Sequence, residues 1–194
     1  MCSIRNVNTV PCFSSGILIT TLRGERPVEE LCEGDRVVTR DNGLQTIRRI
    51  SRRDYDYGQL AIVPHLQPVL VTAGAMGKGL PERDMLVSPN LRLLVARDRL
   101  PFGLSPAPGG DDALVAVKNL CGGKTIRTCS VLGVSYILVE FDRHEVVLAN
   151  GCWAEAFCLA DPSLGARGNA QRTEILEIFP DRKPALPVRR AIEG

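Results

Sequence analysis

The chain has 194 residues, 44% of them hydrophobic and 5% aromatic, with 24 Lys and Arg against 22 Asp and Glu. That is enough apolar material for one buried core, and a net charge of +2 is too small to argue for a nucleic-acid partner. No apolar run approaches the roughly 18 residues needed to cross a bilayer, and Met1 to Pro11 lacks an apolar secretory stretch, so no membrane partner is expected.

In chain order, the first signal of chemistry is Pro11-Cys12-Phe13-Ser14-Ser15-Gly16, followed by the β-prone Ile17-Leu18-Ile19-Thr20-Thr21 and a turn at Arg23-Gly24-Glu25. A cysteine at the head of a domain is placed to attack the carbonyl of the peptide bond before it, turning an amide into a thioester, and a thiolate is the side chain best suited to that step. The bland alternative for Cys12 is a small buried hydrophobe. Gly24 to Leu31 reads as a short helical turn and Gly34-Asp35 as a tight turn. Arg36 to Arg40 and Leu44 to Ile50 read as strands around Asp41-Asn42-Gly43, a hairpin signal. Further strands are expected at Val69 to Ala73, Met85 to Ser88, Leu91 to Ala96, Leu114 to Val117, Ser135 to Phe141 and Glu145 to Ala149. Surface loops are expected at Gly74 to Pro81 and Gly103 to Gly110. After Asp161-Pro162 the composition changes. Asn169 is placed to cap a helix with Ile175, Leu176, Ile178 and Phe179 on one face, ending at Pro180 before a flexible tail.

Three ordered stretches carry a resemblance: Arg26 to Gln45 (RPVE, L, GD, V, TRD, G, Q), His65 to Pro89 (HL, PV, AGA, G, GLP, RD, VSP) and Phe141 to Gly151 (FDRHEVV, A, G). Together with the Cys12-Phe13 start they resemble the Hint superfamily, the fold shared by inteins and hedgehog autoprocessing domains, and within it a bacterial Hint-like family. The resemblance covers about residues 11 to 160 and implies an all-β, Hint-type horseshoe-like fold. It also implies self-cleavage, with Cys12 attacking the Pro11 carbonyl.

In that superfamily a Thr-x-x-His motif polarises and protonates the scissile amide. Here the motif falls on Ser88-Pro89-Asn90-Leu91, with Ser88 standing in for threonine and Leu91 where the family has histidine. Leucine donates no proton, and general acid catalysis is worth about two to four orders of magnitude, so the shift is expected to be slow or lost. Asn90 is a candidate oxyanion donor or a turn residue. Phe141 to Gly151 resembles the late intein block; His144 is its candidate acid or base, and Asp142 a candidate to orient it, with turn-stabilising roles as the alternatives. No His-Asn pair occurs in the chain, so splicing is not expected, and Asn150-Gly151 reads as a turn. The thioester would then be resolved by water or a thiol, with the chain's own N-terminal segment as substrate.

Other features weigh less. His65 lies in a Pro64-His65-Leu66 connector. Cys121 with Cys129, and Cys152 with Cys158, lack Cys-x-x-Cys spacing, so neither a metal nor another cofactor is expected. Seven cysteines make an odd count without a disulfide framework, which favours a reducing, cytoplasmic setting or export by a route that leaves no N-terminal signal. Arg48, Arg49, Arg52 and Arg53, with Asp54 and Asp56 behind them, read as a solvated strand edge, and Trp153 as a core or edge anchor. The expected organisation is a leader at residues 1–11, a Hint-like domain at 12–160, and a helical extension and tail at 161–194. The rival to self-cleavage is a non-catalytic binding or structural module on the same fold.

Overall fold

The computed structural model describes residues 10–106, 110–158 and 179. Its elements are β1 (Phe13–Ser14), β2 (Leu18–Thr21), β3 (Gly24–Pro27), β4 (Arg36–Thr39), β5 (Gly43–Thr46), β6 (Arg49–Asp56), helix α1 (Tyr57–Ile62), β7 (Val69–Val71), β8 (Met85–Val87), β9 (Arg92–Ala96), β10 (Asp112–Ala116), β11 (Ile126–Thr128), β12 (Gly133–Phe141), β13 (Glu145–Ala149) and β14 (Cys152–Cys158). The strands form one mixed sheet whose main path runs β11-β7-β8-β1-β12-β14-β13-β2-β4-β5. The class is therefore all-β, as expected. The predicted C-terminal helix lies outside the described residues except for Phe179.

Most expected strands are present, and the departures have local causes. Leu44 to Ile50 is not one strand but two, because Ile47 turns inward to exchange backbone bonds with Gly34 and Asp35 while Arg48 N–H donates to Glu140. The helical turn expected over Gly24 to Leu31 is confined to Val28–Glu30, since Gly24–Pro27 pairs with β2. Helix α1 was not anticipated. Its start is a capping box: Asp56 Oδ1 accepts from Gln59 N–H at 2.8 Å, and Gln59 Oε1 accepts from Asp56 N–H at 3.0 Å. The arginine-rich segment is β6, paired with β12 from Asp56↔Gly133 to Arg49↔Glu140.

Strand β12 organises the interior. Alternate residues of a strand point to opposite faces, and β12 is covered on both. Ile137, Val139 and Phe141 join one hydrophobic cluster with Phe13, Leu91 and Leu93. Val134, Tyr136 and Leu138 join a second with Val10, Cys12, Leu60, Leu66 and Phe179. β1 is only two residues long, yet it sits between β12 and β8, with Phe13 opposite both Ile137 and Val87. Consecutive residues Cys12 and Phe13 thus enter different cores.

Candidate functional site around Cys12

The turn after β8 sets the geometry at Cys12. Pro89 has no N–H to continue a ladder and holds Ser88 in extended backbone, so the strand ends there. Leu91 N–H closes the turn on Ser88 O at 3.1 Å. The short 3-10 segment Val117–Leu120 then locks it, with Lys118 N–H donating to Pro89 O and Val117 N–H to Leu91 O, both at 2.9 Å.

Ser88 so placed grips the peptide before Cys12. Its hydroxyl oxygen accepts the Cys12 N–H at 2.8 Å and its O–H donates to Val10 O at 3.3 Å, both buried. Its own N–H donates to Cys12 O at 3.1 Å, extending the β1–β8 ladder by one residue. One side chain therefore touches the nitrogen of the Pro11–Cys12 bond and the acyl segment upstream of it. Cys12 is 0% exposed, enclosed by aliphatic and aromatic side chains. Tyr136, in the same core, donates its hydroxyl to Leu66 O at 2.6 Å. Its phenol is pushed up by burial first and then by negative charge at Cys12 and Tyr55.

Leu91 is 0% exposed and packs in the first core, offering no proton donor. Asn90 is buried in the same turn as Ser88, two residues on. Among the described residues its side-chain amide makes no hydrogen bond, and the structure gives it no contact with the Pro11 carbonyl. Ser88 is thus the predicted partner brought onto the Cys12 peptide, with Asn90 nearby.

His144 and Asp142 lie elsewhere. β1 meets β12 at Ser14↔Tyr136 and Phe13↔Ile137. The antiparallel register sets Cys12 at the level of Leu138, from which the strand runs roughly 10 Å to Phe141 at about 3.3 Å per residue, and both residues come later, in the β12–β13 turn. His144 is 43% exposed, with Nε2 2.8 Å from Glu155 Oε1; that carboxylate also meets Arg92 at 3.3 Å. Asp142 is gripped by Arg48 at 2.6 Å. The expectation that Asp142 orients His144 is therefore corrected: the carboxylate on the ring Nε2 is Glu155, reached because β13 and β14 pair across the turn. His65 is exposed in a 3-10 turn, beside the Leu66 that accepts from Tyr136. Among the described residues no group of three or more His, Cys, Asp or Glu is arranged to hold a metal, and no helix is long and apolar enough to cross a membrane.

Asn150 forms the hairpin turn read from the sequence, with φ of 45°. Its Oδ1 accepts from Leu18 N–H at 2.8 Å and its backbone N–H donates to Leu18 O at 2.9 Å, so its side chain is committed to the fold.

Val10, Tyr136 and Leu66 were not singled out from sequence. The available signal was the two-residue alternation that puts Val10 with Cys12 and Tyr136 with Leu138.

An all-β domain opening on a cysteine whose preceding peptide is clasped by a serine from a later turn is the class that fold and site define. The family model for the Hint domain matches residues 11–161, and the chain belongs to that family. Comparison with curated proteins finds no match. Solved structures similar to this chain include the gp41-1 intein, at 12% identity over 76% of this chain and 98% of that one, with a TM-score of 0.42. A DnaB intein from Synechocystis sp. is 12% identical over 76% of this chain and 99% of that one, with a TM-score of 0.43. A bacterial intein-like domain from Clostridium thermocellum is 14% identical over 75% and 98%, with a TM-score of 0.41.

Proposed function

We propose that this Hint-domain protein cleaves its own chain at the Pro11–Cys12 bond. Cys12 Sγ adds to the Pro11 carbonyl carbon, the C–N bond breaks, and the thiol proton ends on the freed Cys12 amine, so the shift to a thioester is an isomerisation needing no other reactant. Water or a thiol then takes the acyl group. The observation that carries this reading is the Ser88 hydroxyl, 2.8 Å from the Cys12 nitrogen. By accepting that N–H the hydroxyl fixes the scissile peptide in place, and because its own proton is held on Val10 O, the proton for the departing nitrogen is the one released by the Cys12 thiol. With Leu91 where an imidazole would serve, the rate is low. His144 and Asp142, on the β12–β13 turn, are left without a part in this step, and so is Asn90, whose side-chain amide makes no hydrogen bond among the described residues.

A second reading, a non-catalytic module, is favoured by the complete burial of Cys12 together with Leu91, since buried structural cysteines are inert.

The deciding test is the intact mass of the protein carrying a larger tag before Met1, followed for about a day with and without dithiothreitol, beside Cys12→Ala. Loss of the tag through Pro11, dependent on Cys12 and faster with the thiol, is the expected result. An unchanged mass in every sample overturns self-cleavage and leaves the binding module.

A further inference from the structure

Val10, two residues before the nucleophile, is 0% exposed and packs in the same core as Cys12, Leu60, Leu66 and Tyr136. Its carbonyl accepts from the Ser88 hydroxyl that also holds the Cys12 N–H, and Pro11 between them is buried. Residues on the acyl side of a bond to be cut need make no contact with the domain that cuts it, yet here they are part of its interior. Strand parity explains how: Val10 and Cys12 share a face, and α1 with the 3-10 turn Pro64–Leu66 supplies Leu60 and Leu66 to enclose it.

We propose that Val10 is the recognition residue of the self-cleavage site, so that the substrate class is a segment with a small branched apolar residue two positions before the cysteine and proline immediately before it. This rests on the self-cleavage reading and deepens it. A β-branched residue suits extended backbone, a charged one would be stranded without water, and an aromatic one would overpack an enclosed site. Seated there, Val10 keeps its carbonyl on Ser88 and so holds the neighbouring Pro11 carbonyl beside Cys12 Sγ. Val10 is a positioning residue: it acts through the chain it anchors.

The experiment uses the tagged full chain with Val10→Asp, Val10→Ala and Val10→Ile, with and without dithiothreitol. Tag loss is read by mass, and alkylation of Cys12, of exposed Cys32 and of buried Cys152 is read by peptide mapping. Val10→Asp is expected to slow tag loss about tenfold or more, Val10→Ala less, and Val10→Ile to stay within about twofold of the parent. Cys12 alkylation is expected to rise about tenfold in Val10→Asp while Cys152 stays slow, which shows that the other core is intact. Tag loss in Val10→Asp at the parent rate, or unchanged Cys12 alkylation, overturns the proposal. If the parent never loses its tag, the self-cleavage reading fails and the recognition proposal with it, whereas tag loss in the parent that Val10→Asp leaves unchanged overturns recognition alone. If Cys152 accelerates together with Cys12 in Val10→Asp, Val10→Ala decides: faster alkylation of Cys12 alone supports the proposal, and an unchanged rate overturns it.

Discussion

Ser88 makes three hydrogen bonds to the stretch from Val10 to Cys12, and each lies where water does not compete. Replacing its side chain with alanine leaves the Cys12 N–H buried without its acceptor and Val10 O without its donor, a loss of about 1–3 kcal/mol for an unmet buried group. Ser88→Ala is therefore expected to lower the urea midpoint and to abolish any thiol-dependent tag loss. Ser88→Thr, which keeps the hydroxyl, should retain both; equal midpoints for Ser88→Ala and the parent would show that the clasp does not form in solution. At this scale the sequence was legible in part. Ser88 was found because the resemblance to the Hint superfamily laid that family's motif over Ser88 to Leu91. His144 was named because its stretch resembles the late intein block, and Asp142 because it lies beside it in sequence, but the β13–β14 pairing hands His144 Nε2 to Glu155, and Arg48 claims Asp142.

Among the elements, the β13–β14 hairpin fixes the domain's centre through one residue. Asn150 holds a φ of 45°, a conformation that asparagine tolerates better than alanine, and its side chain bonds to Leu18 N–H. Asn150→Gly removes the bond and keeps the turn, whereas Asn150→Ala removes the bond and adds strain. The expected order of urea midpoints is parent, then Gly, then Ala, with the Ala variant down by about 2 kcal/mol; a Gly variant below Ala would refute the strain argument. Apolar alternation and Asn-Gly turns made most strands readable in advance. β6 was less readable because its arginines mask the alternation, and α1 because its cap, Asp56 and Gln59, precedes only six helical residues.

For the whole molecule, the two cores titrate as well as pack. Cys152, buried in the first core, has its thiol pushed up from 9.0 to about 12, by burial first and by Glu82 second. The folded state favours the neutral thiol, so its contribution is intact below pH 9, where both states hold the proton. It is lost between pH 9 and about 12, where only the unfolded chain ionises. Tyr136 in the second core, also pushed up, acts in the same direction above its ordinary 10.0. Urea midpoints are expected to fall steeply above pH 9, and less steeply for Cys152→Ala despite its lower stability at neutral pH. An identical slope in the two proteins would show that Cys152 does not carry the effect. Phe179 is buried in the Cys12 core beside Tyr136.

Sequence by itself determined the all-β class and, through the resemblance of its motifs to the Hint superfamily, the nucleophile candidate, the serine of the later turn and the leucine where that superfamily has histidine, because periodicity, turn residues and motif order are local properties of the chain. Only the tertiary structure decided which of those residues meet. A strand's two faces are set by its neighbours, and β12, covered on both sides, sorts Cys12 and Val10 into one core and Phe13 and Leu91 into the other. That partition made the upstream valine part of the site and left the turn histidine on another carboxylate, since contact depends on register across strands far apart in the chain.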